Sequence, residues 1–339
     1  MKRIFARFAA ALAVLSCCVL PFASAAAEER DPVAVSLSLA CPGPAESVAG
    51  VWARMFAEKT AELSNGTVLV TVFADGVLGT DPEVARACRY GSVDLMIART
   101  TEIAGVAEGC MLADVPFLFR DTAHAGRVFA DARIRSVLAE SLLESGLVLL
   151  STTEWGMENI GLTNPPGSEG TPEGVPAASA ADPCRQAVLT ALGYRPVVTE
   201  ISDVCLAVRQ HAVLAQESTP EMFYRLGIYE TQKYLTDSRH FVSVGTLCAG
   251  STGWESLSEE TRACLLRAAA ETEDAVNAAA EAENERLLRA MRSVGIRVTE
   301  AEISDERRNA AAEAATALIA ERLGTETAEL LLAVADELK

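Results

Sequence analysis

The chain has 339 residues, half of them apolar and 22% charged, with a formal net charge of −18. This is long enough for two domains with sizeable cores and too apolar for a disordered or collagen-like chain. The acidic excess speaks against nucleic acid and anionic lipid as partners, since both need a basic surface.

The first element is a targeting segment. Residues 1–7 carry Lys2, Arg3 and Arg7, residues 8–22 are apolar or small, and Ala23-Ser24-Ala25 places small residues ahead of the acidic pair Glu28-Glu29. This order is that of a secretory signal peptide cleaved after residue 25. Two other readings stay open: residues 4–22 as an uncleaved anchor, and Cys17 as a lipidated residue after Val14-Leu15-Ser16.

Beyond it, the spacing of Val48, Val51, Trp52, Met55, Phe56 and Leu63 predicts a helix over 46–63, ended by Asn65-Gly66. Residues 67–73 are β-branched and alternating, hence a strand. Asp81-Pro82-Glu83 is a helix start with Asp81 as cap, and 93–97 is a short buried strand. Residues 33–98 thus read β-α-β-α-β, which implies a mostly parallel sheet covered by helices. Helices follow over 122–130 and 134–145, then a strand over 147–152. The stretch 164–183, rich in Pro, Gly, Ala and Ser, reads as a loop. Helices are expected over 184–192, 221–229 and, very long, 257–291. A strand over 294–298 and an Ala- and Glu-rich helical pair over 304–323 and 325–338 complete the chain.

Motifs for catalysis are missing. There is no Walker loop, GxGxxG, HExxH or EF-hand loop, and only three histidines. Ala249-Gly250-Ser251-Thr252-Gly253 misses a nucleophile elbow by its first residue and reads as a flexible loop. The seven cysteines outside the leader (41, 88, 110, 184, 205, 248 and 264) are widely spaced, with no CxxC. They read as buried thiols, with one long-range disulfide left open. No enzyme, metal site or cofactor is expected. An exported, acidic, two-domain α/β chain of this kind suggests a binding protein whose lobes close on a small ligand.

Several segments carry a resemblance. Phe56-Ala57-Glu58, Leu63-Ser64-Asn65-Gly66-Thr67-Val68, Leu78-Gly79-Thr80-Asp81-Pro82-Glu83 and Tyr90-Gly91-Ser92-Val93-Asp94-Leu95-Met96 are followed by Asp114-Val115-Pro116-Phe117-Leu118-Phe119. Glu230-Thr231-Gln232-Lys233-Tyr234, then Trp254-Glu255-Ser256-Leu257 and Val294-Gly295-Ile296-Arg297-Val298, come later. In this order they resemble the DctP-type solute-binding proteins of tripartite ATP-independent periplasmic (TRAP) transporters, over about residues 33–300. The resemblance implies a two-lobed periplasmic-binding-protein-like α/β fold with a long lobe-spanning helix. Lobe I would be 33–155 plus about 244–283, and lobe II 156–243 plus about 284–339. It implies a periplasmic location, a TRAP-type membrane permease as partner, and allows a periplasmic helical-repeat (TPR-type) protein as a second one.

At the binding site the sequence departs from the family. The Gly-Leu-Lys-Ile-Arg segment, whose arginine grips a ligand carboxylate through two parallel bonds, corresponds to Gly174-Val175-Pro176-Ala177-Ala178. The arginine of a Gly-Phe-Arg segment falls on Gly156-Met157-Glu158. The Gly-Val-Val-Asp-Gly-Gln-Glu-Asn loop becomes His211-Ala212-Val213-Leu214-Ala215-Gln216-Glu217-Ser218, and an aromatic-favouring position carries Ile201. The ligand-binding candidates are therefore Met157, Glu158, Ala178, Ile201, Leu214, Gln216, Glu217 and Ser218. On this alignment the cleft loses two cations and gains an anion and apolar groups, at a cost of about 2–5 kcal/mol for a bound carboxylate. A hydrophobic, neutral or cationic ligand is expected rather than a small dicarboxylate. Two alternatives remain: a ligand-free interaction protein on a relic fold, and a carboxylate receptor in which another arginine, such as Arg185 or Arg195, takes over.

Overall fold

The computed structural model describes residues 35–167 and 172–339. The expected leader, with Cys17, lies outside the described residues. The chain opens with β1 (Val35–Ala40), α1 (Val48–Leu63), β2 (Val68–Phe73), α2 (Asp81–Arg89), β3 (Leu95–Arg99) and the single turn α3 (Thr100–Ile103). Strand β1 lies parallel to β2 on one side and β3 on the other, as the β-α-β-α-β reading required. The cap of α2 is Thr80, one residue before Asp81. Its N–H donates to the Glu83 carboxylate at 2.9 Å, while Asp81 is left buried. At the end of α1, Asn65 and Gly66 both take positive φ, as expected of a left-handed stop.

Next come α4 (Thr122–Ala130), α5 (Ala132–Glu144) and β4 (Leu147–Leu162). Strand β4 runs ten residues beyond the expected segment, because its second half, Thr153 to Leu162, is buried polar and glycine-bearing sequence without simple alternation. The expected loop conceals β5 (Pro176–Ser179), followed by α6 (Pro183–Ala191), β6 (Arg195–Val198), α7 (Val204–Arg209), β7 (Ala215–Ser218) and α8 (Pro220–Arg225). A second long strand, β8 (Tyr234–Gly250), leads straight into α9 (Ser251–Ser256). Ser251 therefore opens a helix instead of lying in a flexible loop. The chain closes with α10 (Glu259–Ser293), β9 (Arg297–Glu300), α11 (Asp305–Leu323) and α12 (Thr325–Glu337).

All strands join one mixed sheet, ordered β2-β1-β3-β8-β4-β7-β5-β6, with β9 added to β8. The outer pairs are parallel, as expected, but the centre is not. Strand β8 is antiparallel to β3 and to β4, and β4 is antiparallel to β7. The β4–β8 ladder runs from Leu147↔Gly250 to Leu162↔Tyr234 with three register shifts.

Three apolar clusters cover the sheet. Trp52 and Phe56 of α1 pack with Leu265, Ala269 and Val276 of α10 over β1 and β3. Phe129, Leu138, Val188 and Phe241 centre the largest cluster, and Val208, Phe223 and Met291 a third. Helix α10 has 35 residues, about 52 Å at 1.5 Å per residue. Its buried residues recur every three or four positions from Leu265 to Met291, so one stripe serves both lobes. The C-terminal pair is internal packing. Ala311, Ala315 and Ile319 of α11 join the cluster with Val188 of α6, and Leu331 and Val334 of α12 join it with Phe129 and Leu138. Among the described residues no helix is long and apolar enough to cross a membrane, and the seven cysteines are all free thiols.

Candidate functional site

A cleft separates the lobes and has two chambers. The outer chamber holds about 600 Å³ and is walled by Pro42, Pro44, Val48, Ile97, Trp155 and Leu226, with Asp81, Glu221 and Arg225 among its polar groups. Ile201, Met222 and Arg99 belong to both chambers. The inner chamber is the smaller of the two. Its walls come from distant parts of the chain: Arg99 and Glu102 from the β3–α3 corner, and Glu158, Ala178, Arg185, Gln216 and Glu217 from β4, β5, α6 and β7.

Arg185 organises the inner end. It is 4% exposed, held by the first turns of α6, which start at the Asp182 cap and Pro183. Nε donates to Asp114 Oδ1 at 2.8 Å, Nη1 to Glu158 Oε2 at 2.5 Å and Nη2 to Glu158 Oε1 at 3.2 Å. Glu217 Oε2 lies 3.9 Å from Nη1, and the guanidinium stacks over the Phe241 ring at 4.2 Å. Burial alone would push Glu158 up, but Arg185 outweighs it and holds this carboxyl below the usual range. Burial likewise opposes the Arg185 charge, and Glu158, Asp114 and Glu217 more than restore it.

Behind Arg185 lies a second acid pair. Asp114 and Asp182 are both fully buried, and each has an Oδ2 with no hydrogen-bond partner among the described residues. Burial drives Asp114 well above the carboxylate range against the pull of Arg185, and the neighbouring Asp182 adds to the rise.

Glu217 is fixed from its other side by His240, whose Nε2 lies 2.8 Å from Oε1. A carboxylate only accepts, so Nε2 carries the hydrogen, and Nδ1 faces Ser238 Oγ at 2.8 Å. Arg99 donates from Nη1 to Met222 Sδ and lies 3.8 Å from Glu102 through Nη2. Burial pushes Glu102 up to about 7, Arg99 notwithstanding.

The structure brings five of the eight expected residues to the cleft: Glu158, Ala178, Ile201, Gln216 and Glu217. Three lie elsewhere. Met157 is buried in the main core, because side chains alternate along β4 and Glu158 takes the cleft side. Leu214 precedes β7 and anchors the sheet, its carbonyl accepting from Thr163 N–H and Gln232 Nε2. Ser218 is buried opposite Asn159 in the β4–β7 ladder. Arg185 enters from α6 and neutralises Glu158, so Glu158 is no lone anion. Arg195, the other arginine considered, is exposed on edge strand β6. The sequence reading missed Arg99, Glu102, Trp155 and Met222. The corner where β3 turns into α3 was the signal available for the first two.

The family model for bacterial extracellular solute-binding proteins, family 7 (DctP), matches residues 43–324. The chain belongs to this family. Its members are solute receptors rather than enzymes, and they are periplasmic. The C4-dicarboxylate-binding periplasmic protein DctP of Rhodobacter capsulatus is 27% identical over 312 residues, 87% of this chain and 93% of that protein. The 2,3-diketo-L-gulonate-binding periplasmic protein YiaO of Escherichia coli is 26% identical over 249 residues, 73% of this chain and 75% of that one. Among solved structures, the sugar acid binding protein DctPAm of Advenella mimigardefordensis with galactonate superposes with a TM-score of 0.82 at 24% identity, covering 90% of this chain and 98% of that one. A TRAP periplasmic solute binding protein of Desulfovibrio salexigens with orotic acid gives 0.84 at 19% identity, covering 90% and 99%. These likenesses establish the two-lobed α/β fold.

Proposed function

We propose that this DctP-family receptor serves a TRAP-type importer, closing its lobes on one small solute with a substantial apolar body and presenting it to a membrane permease. The observation that carries the ligand class is the state of Arg185: Nε and both Nη atoms already donate to Asp114 and Glu158. An incoming carboxylate would find only the second hydrogens of Nη1 and Nη2 unengaged, and would meet Glu217 beside Nη1. The outer chamber offers Pro42, Pro44, Val48, Ile97, Trp155 and Leu226, against which apolar area is worth roughly 25 cal/mol per Å² buried. A cleft of this volume also favours a ligand receptor over a ligand-free interaction protein.

For the lobes we keep the division 33–155 with about 244–283 and 156–243 with about 284–339, with α12 reaching back onto α4 and α5. Gly156, at φ +128°, is the point on β4 where the chain would bend. The apolar faces of α11 and α12 are covered within the chain, so a helical-repeat partner would have to dock on other surfaces.

A second reading has its own support. Arg185 lines the inner chamber together with Ala178, where a displaced carboxylate-binding arginine would sit, and relatives are known with acids bound. Mass spectrometry of the purified mature protein, native and after organic-solvent extraction, separates the two. A co-purified amphiphile supports the apolar reading. A bound sugar acid or dicarboxylate, lost in Arg185→Ala, overturns it in favour of the second.

A further inference from the structure

The arginines that line the cleft are not in the same state. Arg185 donates from Nε and both Nη atoms to Asp114 and Glu158. Arg225 is paired with Glu221 at 2.7 Å and with Glu283 at 2.9 Å. Arg99 lines both chambers with a side chain only 11% exposed. Among the described residues its guanidinium makes one hydrogen bond, from Nη1 to the Met222 thioether, a weak acceptor. Nη2 lies 3.8 Å from Glu102 Oε1, beyond hydrogen-bond reach, and Nε has no hydrogen-bond partner among the described residues.

The Nε–Nη2 edge of a guanidinium carries two parallel N–H groups, the geometry that grips a carboxylate in two places. On Arg99 this edge is open. The backbone fixes where it stands: Arg99 ends β3 opposite Gly245 of β8, and its own N–H donates to Asp81 Oδ1 at 3.1 Å. The acids nearby do not fill the edge. Both oxygens of Glu158 are taken by Arg185, Glu221 is paired with Arg225, and Glu217 is bound to His240. Burial pushes Asp81 up, and Glu102 up to about 7, against the pull of Arg99, with Glu200 adding to both rises. These two carboxyls are thereby held toward the neutral form.

Resting on the apolar receptor reading above, we propose that Arg99 anchors the polar end of the ligand, its Nε–Nη2 edge taking a single carboxylate while the apolar body fills the outer chamber. The Met222 contact at Nη1 stays in place. The ligand class is then a monocarboxylate with an apolar body, since a second carboxylate would meet Arg185 and Arg225 already paired. The anchor stands on β3, in a different segment from Glu158 of β4 and Ala178 of β5, the positions on which the family's arginines fall.

The test titrates the purified mature protein calorimetrically with n-hexanoate, n-hexanol and n-hexylamine, which share one apolar body, and with succinate and galactonate in parallel. Hexanoate is expected to bind at least tenfold more tightly than hexanol or hexylamine. Arg99→Gln should reduce hexanoate binding at least tenfold and leave hexanol within threefold, whereas a merely structural role would weaken both. Arg99→Lys keeps the charge, loses the planar fork and should retain only part of the preference, and it carries the test should Arg99→Gln not fold. Equal binding of the three hexyl probes, a preference for hexylamine, or a hexanoate preference that survives both Arg99 variants overturns the anchor and leaves the apolar cleft standing. Binding of succinate or galactonate with none of the hexyl probes overturns the apolar reading together with the anchor, and no binding of any probe at millimolar concentration overturns the anchor.

Discussion

Arg185 and Glu158 meet through two parallel contacts, Nη1 to Oε2 at 2.5 Å and Nη2 to Oε1 at 3.2 Å, although 27 residues separate them in the chain. The pair is buried at the junction of α6 and β4, so each charge depends on the other. Removing one partner of such a pair costs about 3–5 kcal/mol, because the survivor is left desolvated and unpaired. Arg185→Met should lose stability in this range by urea denaturation. The double variant with Glu158→Leu should recover a large part of the loss, falling short of full recovery because Asp114 keeps its own deficit. Additive losses would contradict the pairing.

Glu154 gives the chain a pH dependence. It is 3% exposed, its Oε2 accepts from Asn277 Nδ2 at 2.7 Å, and burial, assisted by the nearby Glu273, pushes it up to about 7. A carboxyl raised in the folded state keeps its proton where the unfolded chain has lost it. Stability should therefore fall as pH rises from about 4.5 to 7 and level off above. Glu154→Gln should abolish this part of the slope and be more stable than wild type at pH 8. An unchanged slope in denaturation midpoints between pH 5 and 8 would refute the assignment.

The thiols should fall into two groups. Cys41, Cys88, Cys110, Cys184 and Cys248 are buried, and burial pushes Cys41 and Cys248 up to about 12. Cys205 and Cys264 are half-buried. With a thiol-specific disulfide reagent, two residues should react in the native protein and the remaining five only in denaturant, as read by peptide mass.

Asn284 of α10 ties three elements at the crossing between lobes. Nδ2 donates to the carbonyls of Trp155 and Ala280, each at 2.8 Å, and Oδ1 accepts from Glu221 N–H at 3.0 Å. Asn284→Ala should cost about 1–3 kcal/mol by leaving two of these buried backbone groups unpaired. It should also shift Trp155 fluorescence, since that ring lines the cleft. Asn284→Asp, which keeps the acceptor, should retain part of the stability.

Helices with local punctuation were legible in the sequence. Residues 122–130 are read to the residue, and the stripe of α10 is periodic enough to be seen without its partners. Strands β5 and β8 were not. Pro176-Ala177-Ala178-Ser179 has no β-branched residue, and β8 carries Asp237, Ser238, Arg239 and His240 in a row, of which Asp237 and Arg239 are exposed while His240 is buried against Glu217. At the site, five cleft residues were found because motif positions survive a change of residue. Arg185 was named only as an alternative. Its partners Asp114 and Glu158 lie 71 and 27 residues away, and nothing local on α6 announces them.

The β4–β8 ladder, 16 and 17 residues long, has a consequence for how the molecule comes apart. Its pairing resumes after each of three register shifts and reaches from Leu147↔Gly250 to Leu162↔Tyr234, and α10 runs alongside. Neither half of the chain is a detachable unit: a fragment ending near residue 155 would expose an unpaired β4 edge and lose the α10 stripe that covers Trp52. Such fragments should aggregate instead of folding. The intact chain should melt in one transition, with opening of the cleft as a torsion of a shared ribbon rather than the parting of two bodies.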